Sequence, residues 1–158
     1  MKKVAVLTLF ICLCACNQGK VDTSGLQEEM KAREIRVIPE AKITETAYAL
    51  GDSLVAGLNA AEALAIPGKT FKTWEVKGVK IECTAYAFSQ ENALEGKEAQ
   101  VFEAYQYNAE NKLEGDPNIQ KLPNEVLVYN APIKTEGQAG GMWSIRMPRK
   151  YVVLSIRE

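Results

Sequence analysis

The chain contains no histidine, and this absence narrows the chemistry that it can perform. A serine hydroxyl needs an adjacent general base, normally histidine, before it can attack a substrate. Histidine is also the commonest metal ligand, and no cysteine set with metal-binding spacing takes its place. We therefore expect no catalytic residue, no metal ligand, no cofactor-binding residue and no enzymatic activity.

An excess of charge of either sign is also lacking. The chain has 19 lysine and arginine residues against 20 aspartate and glutamate residues, a net charge of −1. Domains that bind nucleic acid carry a clustered positive charge that neutralises phosphate groups. We therefore expect no nucleic acid among the partners.

The N-terminal segment lacks the length of a membrane-spanning helix. Its apolar run, residues 4–14, has 11 residues, whereas a spanning helix needs about 20. The run follows the charged start Met1-Lys2-Lys3. A charged start, a short apolar run and a small residue before the cleavage point are typical of a secretory signal peptide.

The end of this segment, Leu13-Cys14-Ala15-Cys16, resembles a bacterial lipobox with Cys16 as the acceptor. The resemblance implies that residues 1–15 are a lipoprotein signal peptide. It also implies that Cys16 receives a diacylglyceryl thioether and that its new amine receives a fatty acid such as palmitate. Two or three acyl chains anchor a protein stably, at about 0.8 kcal/mol for each buried CH₂ group. The predicted partner is therefore the membrane, through lipid on Cys16, with an ordinary signal peptide as the alternative.

The same motif predicts the location and the domain organisation. Asn17, which follows the acceptor cysteine, favours the outer membrane of the bacterial cell envelope. Residues 16–25 are polar and typical of a tether, and residues 26–158 are long enough for a single domain. After processing, Cys83 is the only free thiol, so the domain must fold without an intrachain disulfide.

Two helices are predicted before the first strand. Residues 26–36 are rich in helix formers, and residues 43–61 carry apolar side chains at helical spacing over about five turns. The apolar positions of the second helix are Ile43, Ala47, Leu50, Leu54, Leu58 and Ala61. We expect Gly51 and Gly57, inside this helix, to allow close packing against a sheet.

Gly51-Asp52-Ser53-Leu54 matches the first block of the GDSL-type esterases and lipases, in which Ser53 would be the nucleophile. In that family the serine follows a buried strand, whereas here it lies within a helical pattern. The chain has no histidine to activate the hydroxyl, and the later block that supplies Asp and His is missing. We interpret the match as a coincidence of four residues.

Strands are predicted where apolar and polar residues alternate. Residues 79–88 alternate strictly, which places Cys83 on the apolar, inward face as a small hydrophobic residue. A helix is predicted over residues 97–112, and lone carboxylates such as Glu103 are expected on its solvated face.

The C-terminal part, residues 126–156, has three runs rich in Val, Ile, Tyr and Trp. Such runs, bounded by glycine and proline, predict three strands. The last run, residues 150–157, is predicted as an edge strand, with a short helix after Pro148 as the alternative.

Four segments, residues 33–37, 78–88, 108–111 and 128–148, occur in an order that resembles a known family. The most specific is Gly141-Met142-Trp143-Ser144-Ile145-Arg146-Met147-Pro148, which resembles the family's Gly-x-Trp-Ser-Val-Arg-x-Pro strand. The family is a PAS-like periplasmic domain of unknown function that includes haem c proteins. The resemblance implies an α+β, PAS-like fold in which N-terminal helices pack on one antiparallel sheet.

Haem-bearing members of this family carry Cys-x-x-Cys-His between their Pro-Ile strand and their Trp strand. The corresponding interval here, residues 134–140, contains neither cysteine nor histidine. Covalent attachment of haem needs both thiols, so we expect a plain hairpin loop and no haem.

Two function classes follow. The first is a sensory or ligand-binding module, with a small molecule or an envelope protein as its partner. The second is a non-catalytic structural or interaction lipoprotein without a ligand pocket. An apolar cavity between the second helix and the sheet would favour the first class.

Overall fold

The computed structural model describes residue 25, residues 37–91 and residues 93–156. The predicted signal peptide, Cys16 and the helix predicted over residues 26–36 lie outside these residues, as does all of the tether except Gly25. The elements below belong to the unit Ile38–Glu158.

Within the described residues, one antiparallel sheet of five strands forms the centre of the fold. The strands are β1 (Thr70–Val76), β2 (Val79–Ala87), β3 (Asn118–Leu122), β4 (Val126–Thr135) and β5 (Gln138–Pro148). The helices are α1 (Glu40–Val55), α2 (Ala60–Ala65), α3 (Gly96–Glu110) and α4 (Arg149–Ser155), and a 3₁₀ turn at Pro123–Glu125 precedes β4. The strand order is β1-β2-β5-β4-β3, with every neighbouring pair antiparallel. The predicted mixture of helices with one antiparallel sheet is confirmed.

The two faces of the sheet carry different layers. Helices α1, α2 and α4 cover one face and form the larger buried cluster with the strands. Its strand residues are Ile81, Cys83, Ala85, Leu127, Tyr129, Ala131, Ile133, Trp143, Ile145 and Met147. Helix α3 lies on the opposite face, where Phe102 and Tyr105 pack against Met142. The inward orientation predicted for Cys83 is confirmed, because its side chain is fully buried in the larger cluster.

Helix α1 approaches the sheet closely at one glycine. Gly51 lies against the ring of Tyr129, and a Cβ atom at this position would overlap the ring. The close packing predicted for Gly51 is therefore confirmed. For Gly57 the prediction is wrong, because the nearest atom to a Cβ there is the carbonyl oxygen of Leu54 at 3.9 Å.

The continuous helix predicted over residues 43–61 is also wrong. Helix α1 ends at Val55, and α2 begins at Ala60 after a short turn. Asn59 caps α2, since its side-chain oxygen accepts a hydrogen bond from the backbone N–H of Glu62 at 3.3 Å. Glycine and asparagine favour turns and caps over helix interiors, so the helix breaks although Leu58 and Ala60 still pack on the same cluster.

The last predicted strand is a helix. Strand β5 pairs on both sides, and its final partner is Val126, which lies opposite Pro148. A strand beyond Pro148 would have no neighbour for its backbone groups, whereas a helix satisfies them internally. Proline also suits a helix start because its φ is fixed near the helical value. Residues 126–156 therefore form two strands and α4, whose Val152 is fully buried.

Substituting Gly51 tests the contact between α1 and the sheet. Gly51→Ala is expected to lower the free energy of unfolding by about 1–3 kcal/mol, because the added methyl group must displace a buried ring. Gly57→Ala is the matched control, with an expected change between zero and a gain of about 1 kcal/mol. Urea denaturation measures both, and equal effects of the two substitutions would contradict the close contact at Gly51.

Candidate functional site

A row of polar residues crosses the sheet on the face that α3 covers. Cross-strand pairing joins Thr70 to Thr84, Thr84 to Ser144, Ser144 to Asn130, and Asn130 to Asn118. Residues paired in this way project from the same face, with Cβ atoms about 4.5–5.5 Å apart. This polar row therefore runs from one edge strand to the other.

Glu98, in the first turn of α3, lies over the polar row. The Ser144 hydroxyl donates to Glu98 Oε1 at 2.9 Å, and the Arg146 guanidinium donates to Glu98 Oε2 at 2.7 Å. Glu98 is only 5% exposed, whereas the Arg146 side chain is about half exposed. Burial, together with the nearby charge of Glu98, raises the pKa of Tyr86 above its usual range. A charged pair therefore joins α3 to β5 at the border between the interior and solvent.

Asn130, in the middle of the row, is the unusual member. Its side chain is fully buried, and neither its amide nitrogen nor its amide oxygen has a hydrogen-bond partner among the described residues. An unsatisfied buried polar group costs about 1–3 kcal/mol, and such groups are rare in folded proteins. Asn130 therefore offers one free acceptor and two free donor hydrogens beneath α3.

Tyr105, on α3, covers the middle of the polar row. Its hydroxyl lies 2.7 Å from the carbonyl oxygen of Asp116 and 3.1 Å from that of Asn130, and it donates to these backbone acceptors. Burial raises the pKa of Tyr105 well above its usual range, so the hydroxyl stays a neutral donor. The ring thus fixes the central part of α3 over Asn130.

Among the clefts that border α3, two lie next to β3 and next to the β4–β5 hairpin. The first, which we call the α3–β3 groove, has a volume of about 370 Å³ and is lined by Gln100, Tyr105, Asn108, Asp116, Asn118 and Gln120, among others. The second, of about 450 Å³, lies between the end of α3 and the β4–β5 hairpin, where Lys112, Leu113, Lys134 and Gln138 line it. Asn118 belongs both to the groove and to the polar row, so it connects the groove with Asn130.

The GDSL-like block lies within α1, as the helical pattern predicted. Ser53 is exposed there, and no described residue forms a hydrogen bond with its hydroxyl. The neighbouring Asp52 accepts a hydrogen bond from the Tyr129 hydroxyl at 2.5 Å. The block therefore contributes a contact between α1 and the sheet.

A hairpin turn lies within residues 134–140, as predicted, but it is shorter than the predicted loop, because residues 134, 135 and 138–140 belong to the strands. Strands β4 and β5 pair as far as Thr135 and Gln138, and the two residues between them, Glu136 and Gly137, have positive φ angles of 52° and 81°. Positive φ at both central positions is typical of the two-residue turns that join antiparallel strands.

Cys83 lies on the other face of the sheet from the polar row. Burial raises the pKa of its thiol to about 12. The thiol is therefore protonated at neutral pH, which agrees with its interpretation as a small hydrophobic residue.

Sequence reasoning missed Glu98, although a signal was present. Glu98 precedes Phe102 by four residues and Tyr105 by seven, so the three share one face of a helix. A carboxylate on the apolar face of a helix becomes buried, so it predicts a basic or hydrogen-bonding partner in the interior. The expectation of solvated carboxylates holds for Glu103, which is exposed.

Exchanging Arg146 tests the charged pair. Arg146→Met is expected to lower the free energy of unfolding by about 1–3 kcal/mol, because the buried carboxylate of Glu98 keeps only Ser144 as a partner. The double variant with Glu98→Gln is expected to lose less than the sum of the two single variants, since the pair is then absent as a unit. Urea denaturation of the four proteins gives the coupling.

The control for this cycle is the exposed pair of Lys80 and Glu82 on β2. Lys80→Met is expected to change the free energy of unfolding by less than about 1 kcal/mol, because solvent screens exposed pairs. Strict additivity of Glu98→Gln and Arg146→Met would contradict the coupling.

Two further chemical features concern the described residues as a whole. No helix among them combines the length and the hydrophobicity needed to cross a membrane. Their acidic and cysteine side chains form no group of three or more that could hold a metal ion.

No family model, curated protein or solved structure gives a significant match to this chain. The features of the chain that bear on its function are the polar row, the helix above it and the N-terminal motif.

Proposed function

We propose that this chain is a lipid-anchored protein of the bacterial cell envelope whose PAS-like domain binds a small ligand between α3 and the sheet. The domain acts as a sensory or ligand-binding module and has no enzymatic activity. Its membrane partner is the lipid bilayer of the outer membrane, reached through the acyl chains on Cys16.

The PAS-like fold is supported by the arrangement of the last strands. The family's Pro-Ile strand corresponds to β4 and its Trp strand to β5, and these two strands form a hairpin. Ala131, next to Pro132, pairs with Trp143. Helix α1 packs on the opposite face of the same sheet from α3, in agreement with N-terminal helices on one antiparallel sheet.

The residues present do not fit a covalently bound haem. The hairpin that would hold it, residues 134–140, contains no cysteine and no histidine, and the thioether bonds need two thiols. Cys83 is buried on the other face of the sheet. The proposed ligand is therefore held by hydrogen bonds and packing.

The observation that carries ligand binding is the unpartnered side chain of Asn130. The neighbouring polar group of the row is used, since the Ser144 hydroxyl donates to Glu98. A buried amide with free donors and acceptors costs stability, and a ligand that bonds to it would recover that cost. Stability given up at one site is typical of functional sites.

The attachment of α3 is consistent with a helix that can shift over a ligand. Its fully buried apolar contacts come from Phe102, Tyr105 and Met142, and the half-buried Tyr86, Phe88, Leu94 and Val101 pack around them. The remaining anchors are polar, namely Glu98 and the Tyr105 hydroxyl. Elements with few buried apolar contacts open at low free energy.

The alternative function is a structural or interaction lipoprotein without a ligand pocket. The tight packing of α1 favours it, because Ile43 and Ala47 are buried and Gly51 contacts the Tyr129 ring directly. Under this alternative Asn130 would be a structural residue, so its substitution separates the two proposals.

Substitution of the acceptor cysteine tests the anchor. Cys16→Ser is expected to move the protein from the membrane fraction to the soluble fraction, and to abolish incorporation of labelled palmitate. Cys83→Ser is the control and is expected to keep both properties. Membrane association of Cys16→Ser would contradict lipid anchoring at this residue.

Substitution of Asn130 tests ligand binding. Asn130→Leu is expected to raise the free energy of unfolding by about 1–3 kcal/mol, since it replaces an unsatisfied polar group with an apolar group of similar size. Native mass spectrometry of protein from its own host is expected to detect a bound small molecule in the wild type and none in the variant.

Ser144→Ala is the matched control in the same row. Because the Ser144 hydroxyl donates a hydrogen bond to Glu98, this substitution is expected to lower the free energy of unfolding by about 1 kcal/mol. A loss of stability in Asn130→Leu, together with wild-type protein that carries no ligand, would favour the structural alternative.

A further inference from the structure

We infer that the ligand is an uncharged, hydroxyl-bearing molecule of monosaccharide size that enters through the α3–β3 groove and bonds to Asn130. This inference rests on the proposed function and specifies its ligand class and its route of entry.

The groove presents amide groups to its occupant. Gln100 and Asn108 line it from α3, and Asn118 and Gln120 line it from β3. The Gln120 amide nitrogen donates to the Asn118 side-chain oxygen at 2.5 Å, which orients both groups. Each amide supplies donors and an acceptor, which is the pattern that a hydroxyl group needs because it also donates and accepts.

Asn130 extends this set into the interior. It is the direct cross-strand partner of Asn118, so the two Cβ atoms lie about 4.5–5.5 Å apart on the same face. Its free oxygen and free nitrogen are adjacent on one amide group. A pair of neighbouring hydroxyls, or a hydroxyl next to an amide, matches these two atoms at once.

The charges around the groove balance, which disfavours an ionic ligand. The lining has one lysine, Lys97, and one aspartate, Asp116. The buried charge nearest to the row, that of Glu98, is already paired with Arg146. An ion that left water here would meet no excess of opposite charge, and burying an unpaired ion is costly.

The remaining walls and the volume set the size. Tyr105, Val101 and Ala104 give the groove an apolar side, against which the C–H groups of a sugar ring can pack. Its volume of about 370 Å³ lies at the small end of the usual range of about 300–1,000 Å³ for ligand sites. One pyranose ring suits this space better than a chain of sugars.

N-acetyl-D-glucosamine is a suitable probe because it is neutral and has both hydroxyls and an amide. Saturation-transfer NMR with the full protein is expected to detect binding of this sugar at millimolar concentration. Glucosamine, a cation, and glucuronate, an anion, are expected to bind at least about tenfold more weakly, a difference of about 1.4 kcal/mol.

Variants locate the site. Asn118→Leu and Asn130→Leu are each expected to weaken binding of N-acetyl-D-glucosamine by at least about tenfold. Gln138→Leu is the control, because Gln138 is exposed and lines the other cleft, at the hairpin. Unfolding by urea verifies that every variant is folded.

Two results would overturn the inference while leaving the proposed function intact. One is stronger binding of glucuronate or glucosamine than of the neutral sugar. The other is a charged or purely apolar ligand retained by the host protein in native mass spectrometry. If none of the three sugars binds, and if protein from its own host carries no ligand, then both the inferred ligand class and the proposed ligand binding are overturned.

Discussion

The central position of β5 is the constraint on which the rest of the fold depends. Both of its edges are paired, with β2 on one side and β4 on the other, so its backbone groups are used and its side chains must serve two layers. Trp143 and Ile145 complete the core beneath α1, while Ser144 and Arg146 bind α3 through Glu98. A shift of β5 by one residue would exchange these two sets and destroy both layers at once.

The two layers are stabilised by different physical effects. The layer of α1, α2 and α4 is an apolar cluster, whose contribution is the hydrophobic effect and close packing. The layer of α3 combines a small apolar cluster with bonds from Glu98 and Tyr105. Polar contacts contribute less net free energy than buried apolar area, and the layer of α3 has fewer fully buried apolar side chains than the opposite layer.

The parts of the fold that depend on local pattern could be predicted from the sequence. The alternation around Cys83 gave the inward face of β2, and the turn residues Glu136 and Gly137 lie where a hairpin loop was expected. The helix after Pro148 was predicted only as the alternative to an edge strand, because the lack of a partner strand is a property of the whole sheet. The candidate site was missed for the same reason, since Glu98, Asn130 and Ser144 are far apart in the chain and meet only after the strands pair.

The contact of Gly51 with Tyr129 has a mechanical consequence. The Tyr129 ring fits against α1 only because position 51 is glycine and has no side chain. The residues one helical turn before and after Gly51 are Ala47 and Val55, which both have side chains. A slide of α1 along the sheet by one turn would bring a side chain onto the ring and be blocked. The contact therefore prevents α1 from sliding along its own axis relative to the sheet. Under the proposed ligand binding, the element expected to move is therefore α3 and not α1.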